Sequence, residues 1–340
     1  SFTTTNEVIE LSKVASKYNG IYISHMREEA SDILKSINET INIGIAANIP
    51  VQITHHKIIG KENWGLSTET LRLVDNAIKN GIRVSIDQYP YTASQTSITA
   101  LIPQWAQAGG RKDLLRRIDD PKTRQLLIDG IVDRILFDRG GGHPKNVFIS
   151  KNTWDTSMEG KNLAELCVDR DQEPTPYNAA MVVFEIIKGG GASAVYHAID
   201  SDDVDLIMQH PMTSIASDGP LTVFNVGSPH PRTYGTFARV LGTYVRDREI
   251  LSLEEAIRKM TGLPANTLSI HKRGLIKEDY YADITIFDMD LISDRSTFED
   301  PHQYAVGVES VIVNGTIVVE NGAHNGNKPG RVLHGPGYSN

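Results

Sequence analysis

The sequence has little cysteine and no long apolar run, and each absence excludes a class of protein. The one cysteine, Cys167, cannot form an intrachain disulfide, which fits a reducing compartment. Cys167 lies in a helix-like apolar stretch, so we expect a buried structural thiol. No apolar run is long enough to span a bilayer and no signal peptide is recognisable, so we expect no membrane partner and a cytoplasmic location. The chain begins with Ser1 rather than Met, and we expect its native start to lie upstream.

Positive charge is also scarce. The 340 residues carry a formal net charge of -8 at pH 7, which argues against a nucleic-acid partner because nucleic acids are bound by basic surfaces. A hydrophobic content of 40% and a charged content of 22% are ordinary for a globular protein. The length allows one large domain or two smaller ones, and the sequence has neither an internal repeat nor a low-complexity tract.

What the sequence does contain, over its first hundred residues, is a regular alternation of helix and strand. The predicted elements are helices at 6–19, 29–48 and 68–80 and strands at 21–24, 51–55 and 83–87. Elements that alternate through short connections are typical of a parallel sheet with right-handed crossovers. An α/β fold is therefore predicted.

The alternation stops near residue 95. Residues 105–200 are richer in charge and glycine, and we interpret them as an insertion or a lid-like subdomain with helices at 111–138, 161–169 and 177–188. The core is expected to resume with a helix at 201–209 and a strand at 213–217. From about residue 272 apolar and polar residues alternate around Asn314-Gly315 and Asn321-Gly322, which predicts an antiparallel β segment with two hairpin turns.

Three of the predicted parallel strands end in groups that bind metals or transfer protons. The stretch IYISH ends in His25, VQITH ends in His55 and TSIASD ends in Asp218. By strand alternation, each group lies on the same face of its strand as apolar or small residues. In a parallel barrel those apolar or small residues would point into the interior. We therefore expect the three groups to converge at the carboxyl ends of the strands, whereas the neighbouring His56 is expected to face the helical layer.

Two imidazoles and one carboxylate suit a divalent metal, and zinc is the metal that we expect, although at least one more ligand is needed. A metal lowers the pKa of bound water to about 7, and Asp218 could take a proton from that water and deliver it to a leaving amine. Taken singly, each residue is more often an ordinary hydrogen-bonded group. The three together favour a hydrolytic site.

Six segments resemble the N-acyl-D-amino-acid deacylases (D-aminoacylases) of the amidohydrolase superfamily. They are GIYISHMREE (20–29), VQITHHKIIGKENWG (51–65), DQYPYTAS (87–94), IASDG (215–219), PHPRTYGTFARVLGTYVRD (229–247) and DPHQYAVGVESVIVNGTIVV (300–319). The segments span nearly the whole chain, which resembles the C-terminal two-thirds of such enzymes.

The resemblance implies a fold and a set of domains. The fold is the second half, strands five to eight, of a metal-dependent hydrolase TIM-like (β/α)8 barrel, with an inserted lid subdomain and a C-terminal β-sandwich segment. The implied divisions are 1–100 for barrel strands five to seven, 101–200 for the lid, 201–271 for strand eight and the closing helices, and 272–340 for the β segment.

The resemblance also implies roles for single residues. His25 and His55 match metal-ligand histidines, and Asp218 matches the catalytic aspartate. Lys57 and Arg232 match positions that hold the substrate's α-carboxylate, which agrees with the chemistry of an ammonium and a guanidinium. The remaining candidates for substrate binding are Tyr89, Tyr91 and His230.

One departure from the family is large. No His-X-His motif occurs, and the chain begins just before the position of the fifth barrel strand. We expect the upstream N-terminal half of the enzyme to be missing from the sequence or to be a separate chain; the alternative is a short protein that pairs differently. Further ligands for one or two Zn²⁺ ions are then expected from upstream residues, and Cys167 is not expected to be one of them.

The implied activity is zinc-dependent hydrolysis of N-acyl-D-amino acids to a D-amino acid and a carboxylate. A cyclic-amide hydrolase or dipeptidase of the same superfamily is the alternative within enzymes, and the pair Lys57 and Arg232 argues against it. A non-catalytic scaffold subunit is the alternative from another class, and retention of His25, His55 and Asp218 argues against that. A homo-oligomer is possible, and the preferred side chain and acyl group stay open.

Overall fold

The computed structural model describes residues 3–338. Its helices are α1 (Thr5–Ser16), α2 (Ile33–Ala47), α3 (Ser67–Lys79), α4 (Gly110–Asp119), α5 (Pro121–Phe137), α6 (Leu163–Val168), α7 (Pro176–Gly189), α8 (Ser201–Gln209), α9 (Arg232–Arg239), α10 (Leu253–Met260) and α11 (Gly262–Thr267). Its strands are β1 (Tyr22–Ser24), β2 (Val51–Ile53), β3 (Val84–Gln88), β4 (Ser94–Ser97), β5 (Val147–Lys151), β6 (Ser193–Tyr196), β7 (Thr213–Ile215), β8 (Ile284–Phe287), β9 (Val308–Val313), β10 (Thr316–Glu320) and β11 (Ala323–His324). Helix α9 continues as a π-helical segment, Val240–Asp247.

The first part of the chain forms a four-stranded parallel sheet in the order β1-β2-β3-β7. The predicted parallel sheet is confirmed, and its strands are shorter than the sequence indicated because β2 ends at Ile53 and β7 at Ile215. All four strands run the same way, so the loops after them lie at one edge, where groups from different strands meet.

The two faces of this sheet differ in polarity. Val51, Ile53 and Ile86 are fully buried against α2 and α3. On the other face Gln52 and Asp87 hydrogen-bond to each other. The expectation that Val51 and Ile53 share an inward face with His55 was therefore wrong: helices cover the apolar face of β2, and the alternation ends at Ile53, before the histidine is reached.

The predicted insertion is a compact unit with a core of its own. With β4, which precedes the predicted bounds, it forms an antiparallel sheet in the order β4-β6-β5, which the sequence did not indicate, covered by α4 to α7. The single helix predicted at 111–138 is two helices, because Asp120 caps a new helix that has Pro121 at its first position.

The C-terminal segment forms an antiparallel sheet in the order β11-β10-β9-β8, as predicted. Asn314-Gly315 joins β9 to β10 and Asn321-Gly322 joins β10 to β11, with positive φ at both residues of each pair. Such two-residue turns match the twist of a hairpin, so both predicted turns are confirmed.

Among residues 3–338, no helix combines the length and apolar character that crossing a bilayer requires. Cys167 is free and buried, as expected for a structural thiol. The domain boundaries at residues 100, 200 and 271 stay a prediction.

Candidate active site at the carboxyl edge of the parallel sheet

His25 and His55 meet directly after β1 and β2. His25 Nδ1 lies 2.7 Å from His55 Nε2, and the two rings are edge to face with centroids 4.6 Å apart. Desolvation by the surrounding protein lowers the pKa of His25 to about 4, although the residue keeps an exposed surface. At neutral pH His25 is therefore unprotonated, which is the form that binds a metal.

The backbone at His55 explains how the two rings meet. His55 has φ of 42°, in the left-handed region that non-glycine residues seldom adopt. Asp87, at the end of β3, holds this turn: its carboxylate accepts hydrogen bonds from the His55 backbone N–H at 2.6 Å and from Thr54 Oγ1 at 2.8 Å. A turn rather than strand alternation therefore aims the His55 ring at His25.

The same turn directs His56 the other way. His56 is buried, and its Nε2 lies 2.9 Å from the Oγ1 of Thr70 in α3. Burial lowers the pKa of His56 to about 3, so this ring stays neutral in the helical layer. The predicted orientation is confirmed, although the alternation argument behind it did not apply.

Glu29 is the site residue that sequence analysis missed. Its carboxylate is buried 3.0 Å from His55 Nδ1, and its ligand atom, with those of His25 and His55, forms a group within 4.8 Å that could hold a metal. Burial by itself would raise the pKa of Glu29, but Lys57, His55 and Arg139 outweigh it and hold the pKa well below its usual range. The only signal in the sequence was its place four residues after His25, a spacing that puts two side chains on one face of a helix or a strand. Residues 25–32 form neither, so the two side chains are brought together by a loop.

Two charged neighbours of Glu29 in sequence have other partners. Arg27 Nε contacts both oxygens of Glu39 in α2, at 2.8 and 2.7 Å. The neighbouring Glu28 instead accepts hydrogen bonds from the backbone of its own loop.

Lys57 lies inside the site rather than on the surface. Its Nζ contacts Glu29 Oε1 at 2.5 Å and the backbone oxygen of His55 at 2.7 Å, and it stands 5.7 Å from the centre of the Tyr89 ring. Burial lowers the pKa of Lys57, and Glu29 opposes that shift. The contact with Glu29 favours the charged ammonium.

Tyr89 joins this group to a second one. The Arg232 guanidinium lies 4.6 Å from the centre of the Tyr89 ring, and its Nη1 is 2.9 Å from Asp218 Oδ2. Arg232 and Tyr89 are buried, and within residues 3–338 neither Arg232 Nε nor Tyr89 Oη has a hydrogen-bond partner. Buried donors without partners are uncommon and mark a place where a polar ligand would be satisfied.

Tyr91 and His230 lie behind these residues. Their rings pack edge to face at 5.1 Å, and both side chains are buried. His230 donates from Nε2 to the Ala93 carbonyl and accepts the Arg232 backbone N–H at Nδ1. Burial, followed by Arg232, holds the pKa of His230 well below its ordinary value. In this structure His230 supports the first turn of α9, and it has no face toward the opening.

The structure thus brings together His25, His55 and Lys57 around Glu29, and separately pairs Asp218 with Arg232. An open cavity of about 460 Å³ lies over the second group and is lined in part by Gln95, Ser217, Asp218 and Arg232. A larger cavity, about 740 Å³, lies at the amino ends of the strands. This cavity is at the opposite end of the strands from the two histidines.

Comparison with known proteins relates the chain to one family of enzymes. The amidohydrolase family model matches residues 181–319. A D-aminoacylase of Alcaligenes xylosoxydans xylosoxydans is 35% identical over 330 residues, which cover 97% of this chain and 58% of the relative. The chain is therefore similar to the amidohydrolase family along nearly its whole length.

Two solved structures of this family extend the comparison. A crystal structure of D-aminoacylase superposes with a TM-score of 0.77 at 33% identity, over 95% of this chain and 58% of that one. An N-acyl-D-glutamate deacylase from Bordetella bronchiseptica, in complex with zinc and a phosphonate inhibitor that mimics the tetrahedral intermediate, superposes with a TM-score of 0.74 at 30% identity, over 93% and 56%. The amidohydrolase fold expected from the sequence is confirmed, and this chain spans a little over half the length of these relatives.

Proposed function

We propose that this chain forms part of a zinc-dependent hydrolase that cleaves the amide bond of N-acyl-D-amino acids, releasing a D-amino acid and a carboxylate. The observation that carries the proposal is the placement of the His25 and His55 pair beside two buried cations, Lys57 and Arg232, that face one tyrosine ring. A metal site next to a carboxylate-binding site is what hydrolysis of an acylated amino acid requires. The similar deacylases support the same chemistry.

The residues present fit a zinc ion. His25 Nδ1 and His55 Nε2 face each other, and imidazole nitrogen is a preferred zinc ligand. When bound, zinc supplies an activated water and polarises the substrate carbonyl. Two imidazoles are fewer ligands than zinc takes, so we propose that upstream residues complete a site for one or two ions.

Lys57 and Arg232 would hold the substrate's α-carboxylate from the two sides of Tyr89. Arg232 has an unpaired Nε–H among the described residues, and Tyr89 has an unpaired hydroxyl. Together they offer donors for a planar carboxylate beside the charge of Lys57. Tyr91 and His230, both buried, would act by supporting Tyr89 and Arg232.

Asp218 would move the proton. Its side chain is 41% exposed and lines the open cavity, and one of its oxygens forms an ion pair with Arg232. The free oxygen can accept a proton from the attacking water and give it to the leaving amine. Asp218 follows β7 and has a positive φ of 47°, in the left-handed region that non-glycine residues seldom adopt.

The wider architecture follows from the same proposal. We infer that the four parallel strands are strands five to eight of a TIM-like barrel, that 101–200 form a lid, and that the C-terminal sheet belongs to a composite β-sandwich. The partner is then the upstream half of the enzyme, on the same or a separate chain, beside a small-molecule substrate. A cytoplasmic location and a homo-oligomer belong to the same set of inferences.

The test is metal content and turnover of the full-length protein that contains this chain. About one or more zinc per chain, with release of D-amino acid from N-acetyl-D-amino acids and little from the L-enantiomers, is the expected result. Faster hydrolysis of a hydantoin, dihydropyrimidine or dipeptide would transfer the assignment to the related cyclic-amide hydrolases or dipeptidases. A folded assembly without metal or turnover would support a scaffold role.

A further inference from the structure

Glu29 occupies the centre of a charge network that the proposed reaction does not use directly. One of its oxygens, Oε1, contacts Lys57 Nζ at 2.5 Å and His55 Nδ1 at 3.0 Å. The other, Oε2, contacts Arg139 Nη2 at 3.2 Å. Glu29 is 1% exposed, so this carboxylate is fully removed from water and is satisfied by three side chains.

The two nitrogens of the His55 ring face different partners. Nε2 points at His25, 2.7 Å away, and Nδ1 points at Glu29. Because the two nitrogens lie on different edges of the ring, an ion bound between His25 and His55 Nε2 is on the far side of the ring from Glu29. Glu29 is therefore placed to accept a hydrogen from Nδ1 rather than to join His25 around the ion.

Lys57 does not displace Glu29 from this role. Its Nζ also lies 2.8 Å from His55 Nδ1, but it has two oxygen acceptors, Glu29 Oε1 and the His55 carbonyl. With the ammonium donating to both oxygens, Nδ1 can keep its own hydrogen for Glu29. That tautomer leaves the lone pair on Nε2, where a metal needs it.

Arg139 fixes Glu29 from a different part of the chain. It follows α5, in the inserted segment, and its side chain is 13% exposed. Burial would lower the pKa of the Arg139 guanidinium, yet Glu29 and Asp138 raise it, so its charge is secure. The contact makes the insertion part of the support for His55.

We propose that Glu29 is a positioning residue that holds the tautomer of His55 and the ammonium of Lys57, that it is not a metal ligand, and that Arg139 anchors it from the inserted subdomain. The inference rests on the proposed metal site, with Glu29 acting through His55 and Lys57. A carboxylate is needed at this position because Lys57 and Arg139 are buried cations that a neutral residue would leave uncompensated.

The test is Glu29→Gln in the full-length protein, read out by Zn²⁺ affinity in competition with a chromophoric chelator. Loss of a hydrogen-bond partner behind a metal-bound histidine typically lowers affinity about 10- to 100-fold. His55→Ala removes a ligand and sets the scale for complete loss. The matched control is Glu185→Gln, which breaks an ion pair with Arg170 in the inserted subdomain, away from the site, and is expected to leave zinc affinity unchanged.

A second readout needs neither zinc nor substrate. The ¹⁵N chemical shifts of His55 in the metal-free protein report which ring nitrogen carries the hydrogen, and the Nδ1–H form is expected. In Glu29→Gln the population of that form should fall. Glu29→Asp keeps the negative charge on a side chain that is one methylene shorter, so it is expected to retain part of the zinc affinity. This variant keeps the proposal testable if Glu29→Gln folds poorly.

The outcomes separate the possibilities. Glu29→Gln that loses zinc as completely as His55→Ala would make Glu29 a ligand and overturn the proposal. Unchanged zinc affinity and an unchanged tautomer would also overturn it. If the wild type binds zinc and shows the expected shifts but does not hydrolyse N-acyl-D-amino acids, the proposed substrate fails while the role of Glu29 stands.

Discussion

Arg232 and Asp218 form an ion pair of unequal exposure. The distance between Arg232 Nη1 and Asp218 Oδ2 is 2.9 Å, with the arginine side chain 4% exposed and the aspartate 41% exposed. The Arg232 guanidinium is thus buried in the protein interior, whereas the Asp218 carboxylate is accessible to solvent. One arginine can in this way orient Asp218 and still present Nε to a ligand beside Tyr89.

Replacing Asp218 tests its role in proton transfer. Asp218→Asn keeps the size of the side chain but cannot accept a proton, so we expect kcat to fall by about 10²- to 10⁴-fold. Zinc content should stay at the wild-type level, because Asp218 lies outside the group formed by His25, Glu29 and His55. Elemental analysis and steady-state kinetics measure the two quantities.

The control for that variant is Asp113→Asn, which removes a carboxylate from an ion pair with Arg116 in α4. It should leave both kcat and zinc content unchanged. Full activity in Asp218→Asn would exclude Asp218 as the proton carrier.

Lys57 and Arg232 are expected to act on substrate affinity. In Lys57→Ala or Arg232→Ala the substrate carboxylate loses a charge-assisted hydrogen bond of about 1.5–3 kcal/mol, which corresponds to a rise of about 10- to 150-fold in KM. The variants are compared with N-acetyl-D-amino acids in the full-length protein. An unchanged KM in both would remove the two residues from carboxylate binding.

His230 should make stability depend on pH. Its pKa in the folded protein lies well below the ordinary value of 6.5, so the unfolded chain takes up the proton first. This part of the stability is present above about pH 6.5 and is lost as pH falls below it, by up to about 1.4 kcal/mol per pH unit. Protonation would also place a hydrogen on Nδ1, which now accepts the Arg232 backbone N–H.

Denaturant unfolding between pH 7 and pH 5 measures the effect. His230→Gln should show a shallower decline in unfolding free energy with falling pH than the wild type. His143→Gln, at an exposed position, is the control and should keep the wild-type slope. Equal slopes for wild type and His230→Gln would show that His230 contributes nothing to acid sensitivity.

Gly44 tests the packing of α2 on the parallel sheet. A Cβ at this position would lie 2.7 Å from Val51 Cγ1 and 3.3 Å from the Ile49 oxygen. Overpacking typically costs about 1–3 kcal/mol, whereas alanine gains about 1 kcal/mol of helix propensity, so Gly44→Ala should lose about 1 kcal/mol net. Gly262→Ala in α11, where contacts are 3.5 Å or longer, is the control and should not destabilise the protein.

The sequence predicted the order of the elements because it depends on local pattern. Helical spacing gave α2, α3 and α8, and the Asn-Gly pairs gave both C-terminal turns. Strand β4 of the inserted sheet gives no strand signal, because its sequence, SQTS, lacks apolar alternation. Its antiparallel pairing with β6 comes from residues about a hundred positions away.

The candidate site also has a part that the sequence could predict and a part that it could not. Residues that follow a strand in sequence, such as His25, His55 and Asp218, could be selected because the carboxyl ends of parallel strands share one edge. The orientation of the His55 ring could not be predicted, since it depends on the left-handed turn at His55 that Asp87 holds from the next strand.

The sequence by itself therefore determined the parallel α/β scaffold, the histidines and aspartate at its edge, and the C-terminal hairpins, because each depends on neighbours a few residues apart. Only the tertiary structure decided which ring nitrogen of His55 faces His25 and that Glu29 and Arg139 stand behind it. Buried charges are placed by the partners that compensate them, and Arg139 lies 110 residues from Glu29, beyond the reach of any local pattern.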